Sequence, residues 1–271
     1  MFQASLFINR PDRINFVMYG PETSYYSLDT KVGRHYQITF PADLKVDVPG
    51  GYGRYRVGSL GKLAHLDENA HLVEKTFAAT TTTFIHYYFL PSKDEVYYGK
   101  TVSEETYTPS IRDILFESGN AGLLDRIYIA LSLVGENGTS FTMIRYLQDK
   151  NALLGESVFR EDTFKKNSLG LLYQTRYRDE QQSVQIQYPA MYRTAARIGS
   201  LLEGNGIRVS DISLDIKRSN HCEVIYSSDT VSQTAEDIGR YFSCPLKKGK
   251  TDVYDILFIL GKREKDWQIR Q

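Results

Sequence analysis

Residues 183–263 carry the pattern that most restricts the fold, because the hydrophobic period switches repeatedly between two and 3.6 within eighty residues. Residues 184–188 alternate apolar and polar, as a half-buried strand does. Met191, Ala195, Ile198 and Leu202 then make one helical stripe, which Gly204 and Gly206 end. Residues 207–214 and 222–226 read as the next two strands. Ser228 or Asp229 is expected to cap a second helix, with Val231, Ala235, Ile238 and Phe242 on its apolar side. Residues 255–260 are continuously apolar, which suits the centre of a sheet, and Gly261-Lys262-Arg263 closes the strand. The order β-α-β-β-α-β implies a split βαβ sandwich, with two helices on one face of a four-stranded sheet. Residues 180–265 are therefore expected to fold alone. Residues 264–271 are a tail, and the polar, arginine-rich residues 173–182 are a linker or connecting strand.

The remaining residues 1–172 read as a mixed α/β region. Strands are expected at 14–19, 35–40, 44–48 and 85–90, and helices at 67–80, from 110, and at 123–133. In the last of these Leu123, Leu124, Ile127, Leu131 and Val134 share a stripe. Residues 141–147 and 156–172 fit neither template. The apolar start, residues 1–8, is either a first strand or the stub of a removed anchor. No stretch has the roughly 18 apolar residues of a membrane span, and no signal peptide is visible. The chain has 33 basic and 33 acidic residues, so it lacks the basic excess of a protein that wraps nucleic acid.

The C-terminal region resembles the C-terminal domain of LytR-type cell-envelope proteins. The likeness lies in Val184-Gln185-Ile186, in Ala195-Ala196-Arg197-Ile198, in residues 201–209 with their Gly204-Asn205-Gly206 turn, in residues 222–226, in the Ala235 helix and in residues 252–261. That family often joins this domain to a LytR-CpsA-Psr (LCP) domain, and residues 1–172 resemble a degenerate one. Arg10-Pro11-Asp12-Arg13-Ile14 is similar to the family's Arg-x-Asp-Thr strand entry. Phe40-Pro41-Ala42-Asp43 followed by Pro49-Gly50 is similar to its Pro-Arg-Asp motif and Pro-Gly turn, and Tyr55-Arg56-Val57-Gly58 falls where it places a basic residue.

The resemblance implies an α/β domain that transfers polyprenyl-pyrophosphate-linked glycopolymers to the cell wall, with arginines clamping the pyrophosphate and aspartates holding Mg2+. Carried over, Arg10, Arg54 and Arg56 are the phosphate-binding candidates, and Asp12 and Asp43 the metal candidates. They are expected to meet at the ends of adjacent strands. Two departures bear on catalysis: Ala42 stands where the family has arginine, and Arg13 where it has threonine. A site without its clamp loses transition-state stabilisation. The expectation is therefore a non-catalytic binding or scaffold protein, extracytoplasmic and envelope-associated, whose partner is a polyprenyl-phosphate glycolipid or a cell-wall polymer, with no nucleic acid. A working phosphotransferase is the first alternative and an RNA-binding module the second.

The RNA alternative rests on Gly51-Tyr52-Gly53-Arg54-Tyr55-Arg56, where tyrosine and arginine could stack on bases. Residues 58–63 have P-loop glycines but lack the hydroxyl that holds magnesium, since residue 63 is Leu. His65 and His71 are badly spaced for one metal, and Asn137-Gly138-Thr139 fits a glycosylation sequon. Cys222 and Cys244, the two cysteines, match no metal spacing. They are expected to lie close but unpaired, an oxidising compartment being the condition under which they would join.

Overall fold

The fold was obtained as a computed structural model, and the structure describes residues 5–269 except 32, 94, 104, 147, 152–155 and 217–219. Of the apolar start, residues 1–4 lie outside the described residues, and residues 5–8 make a turn rather than a strand. The chain divides into two compact units. The first takes the chain up to Asp47, Arg54–Thr80 and Ile85–Ser168; the second takes Val48–Gly53, Thr81–Phe84 and everything from Leu169.

The first unit contains β1 (Arg13–Met18), β2 (Glu22–Asp29), β3 (His35–Pro41), β4 (Lys45–Val48), β5 (Gly53–Arg56), α1 (Leu60–Leu66), α2 (His71–Thr81) and β6 (Tyr87–Leu90). It continues with α3 (Ile111–Phe116), β7 (Ser118–Gly119), α4 (Leu123–Leu133), β8 (Phe141–Met143), β9 (Gln148–Asn151), β10 (Glu156–Phe159) and α5 (Glu161–Ser168). Its main sheet has the order β7-β6-β1-β2-β3-β8, and a smaller sheet has the order β5-β4-β10-β9.

The main sheet is buried on both faces. On one, Ile14, Phe16, Tyr26 and Leu28 join Ile114 of α3 and Ile129 and Leu133 of α4 in a single core. On the other, Phe40 packs on Phe77 of α2 with ring centroids 5.1 Å apart.

β2 was not anticipated. Its sequence, Glu-Thr-Ser-Tyr-Tyr-Ser-Leu-Asp, shows no apolar alternation, yet Tyr25 and Tyr26 are both fully buried. The polar side chains on its α3/α4 side are satisfied internally. Ser24 Oγ lies 2.6 Å from the Tyr107 hydroxyl, Gln37 Nε2 donates to Thr39 Oγ1 at 3.2 Å, and the Tyr107 amide donates to Gln37 Oε1 at 3.0 Å. Buried polar groups are tolerated when each finds such a partner. β2 runs antiparallel to both neighbours, pairing Arg13 with Asp29 and Glu22 with Pro41.

The P-loop-like stretch folds as a short 3-10 turn leading into α1. Its glycines serve packing: a Cβ on Gly61 would come within 2.5 Å of the Tyr19 ring, and one on Gly58 would strike the Tyr97 carbonyl. The helix expected over residues 67–80 is α2, which starts only at His71 and runs to Thr81.

The second unit holds α6 (Thr175–Glu180), β11 (Ser183–Tyr188), α7 (Tyr192–Gly204), β12 (Arg208–Leu214), β13 (Glu223–Tyr226), α8 (Gln233–Phe242), β14 (Leu246–Lys248), β15 (Ile256–Ile259) and α9 (Glu264–Trp267). Its sheet order is β12-β11-β15-β13-β14. β11 is parallel to β12 and β15, while β13 is antiparallel to β15. The expected β-α-β-β-α-β order is present, with β14 added after α8 as a fifth strand at the edge, but the helix-joined strands are not split: β12 lies directly beside β11 and β14 beside β13, each pair parallel.

Three local expectations are corrected. The second helix starts at Gln233, because the Ser232 side chain caps it by accepting from the Ala235 amide, so Val231 precedes the helix. Residues 173–182 are not a linker or strand: most of them form α6. Its Tyr177 is buried and donates to Asp237 of α8 at 2.8 Å, and its Glu180 carboxylate accepts from the amides of Gln233 and Thr234 at 2.8 Å each, capping α8. Finally, Cys222 and Cys244 form a disulfide, with Cα atoms 5.3 Å apart. The turn after α8, with Ser243 in the left-handed region, brings Cys244 back beside the start of β13, inside bridging distance.

Candidate phosphate site

Asp43 and Arg56 meet where β3 ends. The turn after Pro41 is fixed by backbone hydrogen bonds to two other segments: the Asp43 amide donates to the Gly99 carbonyl at 2.9 Å, the Gly58 amide to Ala42 at 2.8 Å, and the Tyr97 amide to Gly58 at 2.9 Å. This lattice sets Arg56 Nη1 3.7 Å from Asp43 Oδ1. The guanidinium carbon lies 5.0 Å from the centroid of the Tyr98 ring. Asp43 Oδ1 is buried and accepts no hydrogen bond, and this long ion pair is its contact with Arg56. Arg54 is engaged elsewhere, its Nε donating to Asp47 Oδ1 at 3.1 Å across the β4–β5 hairpin. Ala42 is buried against Gly58 and leaves no cation at the motif's central position.

Arg10 and Asp12 are not part of this cluster. They precede β1, and the strands do not pair as the sequence suggested: β2 lies between β1 and β3, so the start of β1 and the end of β3 sit at opposite ends of the sheet. The eight residues of β2 span roughly 25 Å at ~3.3 Å per residue. Asp12, nearly buried, pairs with Lys31 at 2.7 Å. Arg10 lies over the Tyr128 ring at 5.4 Å and donates to the Thr30 carbonyl at 3.3 Å. Arg13, where the resemblance has threonine, is inside the protein. It donates through Nη1 and Nη2 to the Arg34 carbonyl at 3.1 and 2.6 Å and sits 3.6 Å from Asp29. Burial lowers its pKa from the ordinary arginine value. Arg13 is therefore a sheet-end fastener.

A magnesium ion held jointly by Asp12 and Asp43 does not fit this geometry, since its oxygen ligands must all lie within about 2.1 Å of the metal. Among the described residues no group of three His, Cys, Asp or Glu side chains is placed to hold a metal ion. Tyr97 and Tyr98 are the members of the cluster that the sequence reading passed over. An aromatic pair between two polar segments was their only signal. Burial is the first cause that raises the Tyr97 phenol, followed by the charges of Glu95 and Glu117, and Tyr19 beside it is pushed up to about 12 by burial. Both stay protonated near neutrality, so they can donate hydrogen bonds but not act as bases. The cluster as a whole can receive one anionic oxygen pair at Arg56; it has no second guanidinium with which to clamp a pyrophosphate.

Solved structures similar to this chain include members of the LytR-CPS2A-psr family, and the likeness concerns the fold. One is the family protein YwtF (TagT) with bound octaprenyl pyrophosphate lipid, at 12% identity and a TM-score of 0.39, covering 58% of this chain and 87% of that one. Another is TagV of B. subtilis, at 10% identity and a TM-score of 0.37, covering 73% of this chain and 98% of that one. A transcriptional regulator from Enterococcus faecalis matches at 9% identity and a TM-score of 0.37, covering 74% and 89%. No family profile matches the sequence, and no curated protein matches it.

Proposed function

We propose that this chain is a cell-envelope-associated binding or scaffold protein of LCP type, which holds the phosphate of a polyprenyl-linked glycolipid or cell-wall polymer without transferring it. The observation that carries the reading is the Arg56–Asp43 pair beside buried Ala42. A part-exposed guanidinium, oriented by Tyr98, is a ready partner for a phosphate oxygen. The incoming anion must compete with Asp43, and it meets one cation instead of several. Binding is therefore weak, and charge developing on a departing pyrophosphate is left without stabilisation. The disulfide supports an extracytoplasmic setting, because such bonds persist in oxidising compartments. No helix among the described residues is long and apolar enough to cross a membrane.

The test is titration of the full chain with a polyprenyl monophosphate in detergent micelles, with and without Mg2+. Arg56→Ala is expected to weaken binding about tenfold, the lower end of the ~1.5–3 kcal/mol of a charge-assisted contact, because Arg56 is partly exposed. Equal affinity of wild type and variant removes the phosphate reading. Transfer of a labelled glycopolymer from a polyprenyl-pyrophosphate donor, dependent on Mg2+, would establish the transferase instead.

A further inference from the structure

A cavity of about 290 Å³ opens at the carboxyl end of β15, in the second unit. Three segments line it: Asn220 and His221 ahead of β13, Ser243 after α8, and Lys262, Arg263 and Asp266 after β15. The course of the chain brings them together. β13 runs antiparallel to β15 with Glu223 opposite Ile259, so the residues before the one meet the residues after the other. Gly261, at φ +49°, lets the turn after β15 pass against the His221 carbonyl, where a Cβ would overlap it. The Cys222–Cys244 bond ties the third segment to the first. The cavity is therefore preformed. It lies beyond the carboxyl end of a strand that runs parallel to β11, which is where open α/β sheets hold their ligands.

Hydrogen-bond donors dominate the lining. Arg263 Nη1 donates to Asp266 Oδ2 at 3.1 Å, which occupies the acid of the cavity and orients the guanidinium. The other guanidinium nitrogens of Arg263 make no bond with any described residue, and neither do the side chains of Lys262, His221 and Asn220. Lys262 thus brings a positive charge that nothing in the lining balances. His221 adds a second when it takes up a proton beside an arriving anion. A carboxylate offers two oxygens in one plane. Guanidinium, ammonium, imidazole, amide and hydroxyl donors supplied by three separate segments suit an anion whose oxygens point in several directions.

We propose that this cavity binds a phosphate group, with Lys262, Arg263 and His221 on its oxygens and Ser243 and Asn220 completing the ring of donors. The volume stands at the lower end of the range of small-molecule sites, enough for a phosphate with a short organic substituent. Free phosphate and a small phosphate monoester share this chemistry, and the experiment separates them. Arg56 and Asp43 belong to the first unit, so the proposal does not depend on the reading of that pair.

Amide NMR of the nitrogen-15-labelled full chain tests it, by titration with inorganic phosphate and with glycerol 1-phosphate. The amides of His221, Ser243, Lys262 and Arg263 are expected to shift and to saturate in the millimolar range. Tighter binding of glycerol 1-phosphate assigns the site to an ester; equal or weaker binding assigns it to free phosphate. Lys262→Ala and His221→Ala should each raise the dissociation constant about fivefold, less than the loss of a fully buried charge-assisted hydrogen bond because both positions are exposed. Both side chains lack partners among the described residues, so the rest of the spectrum should be unchanged. Arg56→Ala should leave the titration of these amides unaltered, which keeps a failure here distinct from a failure of the Arg56 site. Amides that do not move, or that sodium chloride at the same ionic strength moves equally, overturn the proposal. So does acetate that binds as tightly as phosphate, or wild-type affinity in both cavity variants.

Discussion

The second unit shows its architecture in its residues, and the first conceals it. In the second, strands and helices alternate, each with one apolar face, and the period of the pattern names the element. In the first, the central strands of a sheet covered on both sides carry no alternation, and polar residues sit in the middle of the core. The difference teaches where binary patterning stops being informative. It works for elements with one wet face and fails where both faces are buried and the polar groups are satisfied by one another, as Ser24, Gln37, Thr39 and Tyr107 are.

The two units can be separated experimentally because Trp267, the chain's single tryptophan, lies buried in the second, 5.3 Å from Phe242. Its fluorescence reports that unit's unfolding. The largest effect is expected from Phe16→Ala in the first unit, where a ring stacked on Tyr26 and edge-on to Phe89 is deleted. It should cost ~3–5 kcal/mol in urea unfolding followed by far-ultraviolet circular dichroism. If the Trp267 transition moves by the same amount, the units unfold as one and the contrast is only one of sequence pattern.

Next comes the disulfide. Cys222→Ala with Cys244→Ala opens a loop whose ends are 22 residues apart, which should lower the stability seen by Trp267 by about 3 kcal/mol. Dithiothreitol should reproduce the shift in the wild type and do nothing to the variant. An unchanged midpoint would mean that the bond is not formed in solution.

The smallest effect concerns acid. The hydroxyl and amide of Ser183 donate to Asp255 at 2.6 and 2.8 Å, and Arg208 adds attraction, so the Asp255 carboxyl is held below its ordinary pKa. A depressed carboxyl stabilises the fold above its unfolded pKa of about 3.9, and that contribution fades as pH falls through the lower folded value. Asp255→Asn should therefore flatten the decline in Trp267-reported stability below about pH 4, with little change in the first unit. A decline of the same steepness would assign the acid sensitivity to other groups.

The candidate site was half legible. The motif around Phe40-Pro41-Ala42-Asp43 led to Asp43, and Tyr55-Arg56 to its partner, since both lie near in sequence to the same turn. Arg10 and Asp12 failed to join them because joining required knowing how β1 and β3 pair, and the strand between them was invisible. Tyr98 was missed for a related reason: its approach to Arg56 depends on the carbonyl of Gly99 meeting the amide of Asp43, a contact across more than fifty residues. The cysteines were found close, as their elements implied, but the left-handed turn at Ser243 that closes the gap has no glycine to announce it.

Thr81–Phe84 belongs to the second unit although it is synthesised nearly ninety residues before that unit's own sequence begins. Phe84 lies with its ring 4.3 Å from that of Tyr241, and its amide donates to Asn205 Oδ1 at 3.1 Å. The second unit is therefore not a portable cassette. Moved by gene fusion as residues 180–265, it would arrive with a ring-sized hole and an unanswered asparagine. During translation Thr81–Phe84 leaves the ribosome first and waits for the rest of its core to be made. Shuffling of this region between proteins has to carry the upstream segment along, or find another aromatic to plug the gap.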